Sequence, residues 1–331
     1  MDVQADELTL PERQLWEAFT AAREVDLRTG DPDGDDPAGG ADWGPERTIR
    51  AEVIAALLLG ARETEPGRKA GVTLVGARIT GSLELDNTEF ECHLRLKGCW
   101  FEQRVNLYGA RTRQLSFSAS HLNGIMASLA QIDGNLRLKW CHSRAEVSLV
   151  GTRVSGALSM DEAHLVAADG AALDGNRLQV DNDLLMRHLT AEGRISLRSA
   201  HIGGSVQLRE SQLHGATGIH APDHADGLPD RGGATALDAV RLQVGVDFTA
   251  YRLRTTGALI LRGAAVTGTL FLRAAQLTNP DGRTLDAAGA QIGAGVVLDH
   301  GFTADGQIRL AGAETPSRIV LEGARLTAPD T

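Results

Sequence analysis

Aromatic residues are scarce: Phe, Trp and Tyr make up 4% of the 331 residues. That excludes a core built around large rings. There are three cysteines, an odd number, which argues against a disulfide framework. No apolar run approaches the roughly 20 residues a membrane helix needs. The longest candidate, VIAALLLGA at Val53–Ala61, is short and follows charged residues. No secretory leader pattern is present, so a cytoplasmic location is expected. A P-loop, dinucleotide fingerprint, nucleophile elbow, HExxH and paired CxxC are all missing. No cofactor is therefore implied.

What is present is a repeat. From about residue 71 onward a large aliphatic or aromatic residue returns every five or six positions, as in GARITGSLELDNTEFE and GALILRGAAVTGTLFLRAAQLT. Such a period fits neither an amphipathic helix nor an ordinary strand, and it is the mark of a solenoid. Taking the large residue as inward gives Leu85, Phe90, Leu96 and Phe101, then Leu107, Thr112, Phe117 and Leu122. Later turns give Leu173, Leu178, Leu184 and Leu189, then Leu261, Val266, Leu272 and Leu277. Four inward residues per turn predict a four-sided tube. A small residue two positions earlier, such as Cys99, Ala110, Ser120 or Cys141, lets the thin core close. Glycines such as Gly81, Gly156, Gly193, Gly257 and Gly268 precede faces and suit tight corners of positive φ. The step from Leu197 to Leu237 is far longer than its neighbours, so an insertion is expected at about 216–233.

This register resembles that of the pentapeptide-repeat family. The resemblance spans residues 71–331 and implies an all-β solenoid, a right-handed quadrilateral β-helix of about ten coils. At strand spacing such a rod is roughly 50 Å long.

Residues 1–70 read differently, as a small helical cap carrying an acidic loop. Thr9-Leu10-Pro11-Glu12 has the form of a capping box with proline in the first turn. A second helix is expected at about 45–60. Between them Asp31-Pro32-Asp33-Gly34-Asp35-Asp36 lacks the glycine a calcium loop needs at its sixth position, so an exposed, flexible acidic loop is the expectation. Two apolar-faced helices before a solenoid would cover its open end.

Net charge is −10, but unevenly spread. Residues 1–68 hold 16 acidic residues and 7 arginines, whereas the remainder holds 27 acidic and 26 basic residues. The best-known members of the resembled family are topoisomerase-binding DNA mimics with acidic tubes. Here the tube is close to neutral, which demotes that role.

Stacking coils turns sequence positions into columns. The residue before each fourth-face inward position is histidine four times running: His121, His142, His164 and His188. Imidazoles about 5 Å apart either stack on a regular surface or bind metal, protons or a ligand. The matching second-face position gives Arg111, Arg153, Arg177 and Arg241, a stripe for an anion or a protein partner or a solvated face. On the first face Asp174, Arg198, Asp238, Arg262 and Asp286 alternate in sign, as cross-coil ion pairs would. In the insertion, His220 and His224 stand near two aspartates and are weak candidates for a metal.

The function expected from these residues is a non-enzymatic interaction or scaffold protein that presents flat solenoid faces to a protein partner. The alternatives are an enzyme or ligand-binding protein using the His column or the insertion, and a topoisomerase-binding DNA mimic. Direct nucleic-acid binding and a membrane span are not expected.

Overall fold

A computed structural model describes residues 7–63, 67, 69–216 and 234–327. They form a right-handed β-solenoid with about 11 turns. The predicted insertion lies almost wholly outside the described residues. The chain divides into two compact units, Met1–Met160 and Asp161–Thr331.

In the first unit, helix α1 (Leu10–Phe19) starts on Thr9 with the expected capping box. Its Glu12 is buried and does two jobs. It closes the box onto the Thr9 N–H at 3.0 Å, and it accepts from the Arg50 backbone and guanidinium at 2.8–3.0 Å. Arg50 is the N-cap of α2 (Ala51–Leu58), so one carboxylate ties the starts of both helices. Leu15, Phe19, Ile54 and Leu57 are fully buried.

The N-terminal segment also supplies strands. Strand β1 (Glu24–Asp26) pairs in parallel with β3 (Gly71–Val75), and β2 (Thr48–Arg50) with β4 (Arg78–Thr80). This segment thus continues the ladder, giving its backbone groups the same partners an additional coil would give.

The acidic loop is pinned rather than free, because a buried arginine needs its oxygens. Arg47 donates to the carbonyls of Gly76 and Gly34 at 2.9 and 3.0 Å and to Asp35 at 2.8 Å, and it lies 3.5 Å over the Trp43 ring. Asp35 also accepts from the N–H groups of Thr29 and Gly30 at 2.9 and 2.8 Å. These donors and the Arg47 charge outweigh desolvation and hold the Asp35 carboxyl below its ordinary value.

Each coil in this unit turns through four short strands, for example Val105–Asn106, Arg111–Thr112, Leu115–Ser116 and His121–Leu122 on faces one to four. Strands two residues long gain their order from stacking. Leu83, Val105, Ile125 and Val147 align on the first face, and Leu94, Leu115, Leu136 and Leu158 on the third. All predicted inward residues from Leu85 to Val296 are buried.

In the second unit the aligned first-face residues are Leu173, Ile195, Leu237, Leu259, Leu285 and Ile308. Strand Gln212–His214 pairs directly with Arg254–Thr256, so the ladder keeps its register across the predicted insertion. The series ends differently from expectation. Gly301 is exposed with φ 86°, and Phe302 takes the interior instead.

Gly81, Gly193 and Gly257 have the positive φ expected, but Gly156 and Gly268 do not. The last two are held by close approach: a Cβ at Gly156 would strike Asn135 and the Gly134 backbone, and at Gly268 Asp247 and the Val246 backbone.

Candidate functional site

Strand pairing corrects the columns. On several faces of the second unit both buried positions of a strand hold sizeable residues, as in Leu178 and Val180 or Leu242 and Val244. Choosing the larger one as inward shifts the register by two. Period-two alternation keeps both buried, so the burial pattern conceals the shift.

Thr190, not His188, stands opposite His164. On the second face the aligned residues are Gln179, His201, Gln243, Ala265 and Gln291, not Arg177 and Arg241. His188, Arg177 and Arg241 occupy turns instead, with φ of 55°, 58° and 57°. Their N–H groups donate 2.8 Å bonds to Arg209, Arg198 and Arg262 carbonyls, which hold the left-handed geometry in place. His188 Nδ1 lies 3.6 Å from Glu210.

In the first unit the fourth-face column is Arg78, Trp100, His121 and His142. The planar groups follow one another. Arg78 lies 5.6 Å from the Trp100 ring centroid, and the two imidazoles stack 4.8 Å apart at 16°. Trp100 is buried, and the short helix Pro37–Asp42 packs so closely there that a Cβ at Gly40 would meet the indole. Burial, then the neighbouring His142, pushes the His121 pKa down, with Asp36 opposing. His164, in the second unit, meets Glu192 at 3.2 Å. Among the described residues no three His, Cys, Asp or Glu side chains gather as a metal would require. His220 and His224 lie outside the described residues. Burial pushes the thiols of Cys99 and Cys141 up to about 12, far from a reactive thiolate.

The first-face row is corrected too: the aligned strand residues are Asp174, Ser196, Asp238, Ile260 and Asp286, with Arg198 and Arg262 two positions further on, yet both arginines still reach across to form ion pairs, Arg198–Asp238 at 3.0 Å and Arg262–Asp286 at 3.8 Å. Asp286 is buried and is also reached by Arg283 at 3.2 Å and Arg309 at 4.0 Å.

The second face of the first unit carries an open groove of ≈ 370 Å³. Its strand positions align as Glu89, Arg111, Gln131 and Arg153. Three arginines and three carboxylates line it: Arg111, Arg113 and Arg153 against Glu89, Glu91 and Asp133. Arg113 and Glu91 are 3.7 Å apart, and Ser155 donates to Asp133 at 3.0 Å. The stripe is thus charge-balanced, which position-by-position reading of arginines alone misses. Thr112 also lines the groove, and its buried hydroxyl has no hydrogen-bond partner among the described residues. The adjoining turns expose two large apolar residues, Tyr108 and Leu129.

These features define the chain as a repeat β-solenoid with turns of roughly 22 residues. Comparison with protein-family models, with curated proteins and with solved structures finds no match. No helix among the described residues is long and apolar enough to cross a membrane.

Proposed function

We propose that the protein is a non-enzymatic interaction module of the pentapeptide-repeat-like kind, and that the second face of its first unit is where a protein partner docks. The observation that carries this reading is the grouping of Arg111 and Arg153 in one open groove beside exposed Tyr108 and Leu129. Arginine and tyrosine are the residue types that dominate binding energy at interfaces, where charged pairs and apolar anchors act together. The balance of three arginines against three carboxylates suits a mixed-charge protein surface better than a polyanion, whose binding needs a net basic track. A face built on stacked backbone ladders is rigid before contact, which lowers the ordering cost of association.

The test is affinity capture from the native cell extract, followed by binding measurements with the purified captured protein. The Tyr108→Ala, Leu129→Ala double variant and the Arg111→Glu variant are each expected to weaken binding at least ten-fold. Arg177→Glu, which reverses a charge that does not line the groove, is the control and leaves binding unchanged. A partner that binds all four proteins equally well would rule out this face.

A further inference from the structure

On the third face of the first unit the outward residues stack in two rows. One runs Thr73, Arg95, Ser116, Arg137 and Ser159. The other runs Val75, Lys97, Ser118 and Lys139, joined by bonds from the Gly98 N–H to the Ser118 carbonyl at 3.0 Å and from the Ala119 N–H to the Lys139 carbonyl at 2.8 Å. Four of these nine positions are cationic and none is acidic. Among the described residues the side chains of Arg95, Lys97 and Arg137 make no hydrogen bond and no ion pair. Asp161, two residues beyond Ser159, is taken by Arg187 at 2.6 Å. Burial, then the Arg95 charge, holds the His93 imidazole below its ordinary pKa, as an unbalanced positive field does.

The basic patch has a polar centre. Arg95 and Lys97 lie two residues apart on one coil, and Arg137 and Lys139 lie two residues apart two coils further on. The patch is therefore about 7 Å along the strand and about 10 Å across the coils. Ser116 and Ser118 lie on the coil between, with their hydroxyls 3.1 Å apart. That bond uses one O–H and leaves the other to donate to a ligand. Cations on long arms around two hydroxyls are the donor set that oxygen-rich anions, phosphates above all, require. The patch is also short. Next to Thr73 and Val75 the ladder continues with Glu24 and Asp26. A nucleic-acid strand needs a longer basic track, so a compact polyanion fits better.

A cleft of ≈ 640 Å³ adjoins the patch at Lys97, within the size range of small-molecule sites. Val75, Gly98 and Ala119 line it from the tube, and Thr29, Gly30 and Pro32 from the acidic loop. Its two carboxylates are engaged, Asp26 by Arg28 at 2.6 Å and Asp35 by Arg47 at 2.8 Å. Lys97 is thus the cation left to meet a ligand there, in a recess that a flat bilayer cannot enter. Trp140 stands one coil on from Ala119 and is 53% exposed, with Lys139 5.9 Å from its ring. An exposed indole beside a phosphate-binding patch is a stacking platform for a planar base.

We propose that this patch and cleft bind a nucleoside di- or triphosphate, with its phosphates on Arg95, Lys97 and Arg137 and its base against Trp140. The site is separate from the second-face groove and does not depend on it.

Isothermal titration calorimetry of the full chain with ATP, with GTP and with inorganic tripolyphosphate tests it, at low salt without divalent metal. Both nucleotides are expected to bind in the micromolar range, because stacking on an indole is tolerant of the base, and tripolyphosphate about ten-fold more weakly. Lys97→Glu and Arg137→Glu are each expected to weaken ATP binding about ten-fold or more. Arg104→Glu makes the same charge change at an exposed residue before the first-face strand Val105–Asn106 and is expected to leave binding unchanged. Trp140→Ala is expected to weaken ATP about ten-fold and leave tripolyphosphate unaffected. Circular dichroism confirms that all variants remain folded. A parent that binds no nucleotide up to about 1 mM, an Arg104→Glu variant as weak as Arg137→Glu, or a Trp140→Ala variant that binds ATP normally would each overturn the inference. Binding of phosphatidylserine vesicles or of an acidic peptide in place of nucleotide would do the same.

Discussion

The first coil of the first unit and the last described coil of the second are built from the same repeat, yet their apolar rows differ in burial. At the first, α1, α2, β1 and β2 are laid over the tube, and Leu15, Ile54 and Leu57 are fully buried. At the other, Leu321 and Leu326 are about half exposed. The repeat gives every coil an apolar row; whether that row is core or surface depends on what stacks on it.

That comparison can be broken most forcefully at a covered position. Leu57→Ala in α2 is expected to lower stability by about 3 kcal/mol, the transfer and cavity cost of a buried leucine, read from urea unfolding. At half-exposed Leu321, Leu321→Ala is expected to change stability by less than about 0.5 kcal/mol. Equal effects would mean that burial does not distinguish the two positions.

Asp286→Ala is expected to cost the second unit about 3 kcal/mol, because Arg262, Arg283 and Arg309 are left crowded without their shared carboxylate. Thermal unfolding checks this, and an unchanged midpoint would contradict the role given to the pair row.

Glu12→Gln is expected to cost about 1–2 kcal/mol through the capping box and the Arg50 contact. Burial raises the Glu12 pKa, but the bonds from Arg50 and the Thr9 N–H more than offset it and leave the folded value lowered. A lowered carboxyl pKa stabilises the fold above the unfolded-state value and loses that contribution as pH falls through the folded one. The parent therefore loses stability relative to Glu12→Gln between the ordinary glutamate range and more acidic pH, so the gap between the two unfolding curves closes on acidification. A gap that stays constant with pH would remove the ionised carboxylate from the account.

The smallest effects concern the corrected register. His188→Gly and Arg177→Gly relieve left-handed backbone, offset by the entropy glycine adds to the unfolded chain. They are expected to be neutral or to stabilise by up to about 1 kcal/mol. Arg111→Gly, in a second-face strand of negative φ, is expected to destabilise by about 0.5–1 kcal/mol. Equal destabilisation at Arg177 and Arg111 would argue for the uncorrected columns.

Much of the fold was legible because the repeat is redundant. Missing one inward residue, as at Gly301 and Phe302, leaves the solenoid reading intact, since neighbouring coils report the same period. The columns were less secure. In the first unit the earlier of the two buried residues is no larger than the later one in the second-face strands and is smaller in most fourth-face strands, as in Ala130–Ile132 and Ser120–Leu122, so His121, His142, Arg111 and Arg153 fall where the spacing puts them. In the second unit Leu178–Val180 and Leu189–Ala191 invert or blur that size order, and Arg177 and His188 move from strand to turn. Size marks a buried side chain, but only hydrogen-bond pairing marks which strand residue faces which.

The sequence by itself determined the solenoid, its four-sided turn, the capped start of α1 and the concentration of acidity before residue 69. Each is a local or periodic property, written in the spacing of apolar residues or in a four-residue signature. Tertiary structure alone decided the rest: that Arg47 pins the acidic loop, that the arginine stripe is balanced by Glu89, Glu91 and Asp133, and that Leu321 and Leu326 meet solvent. These depend on which residues stand one coil apart, and that distance in the chain varies from turn to turn.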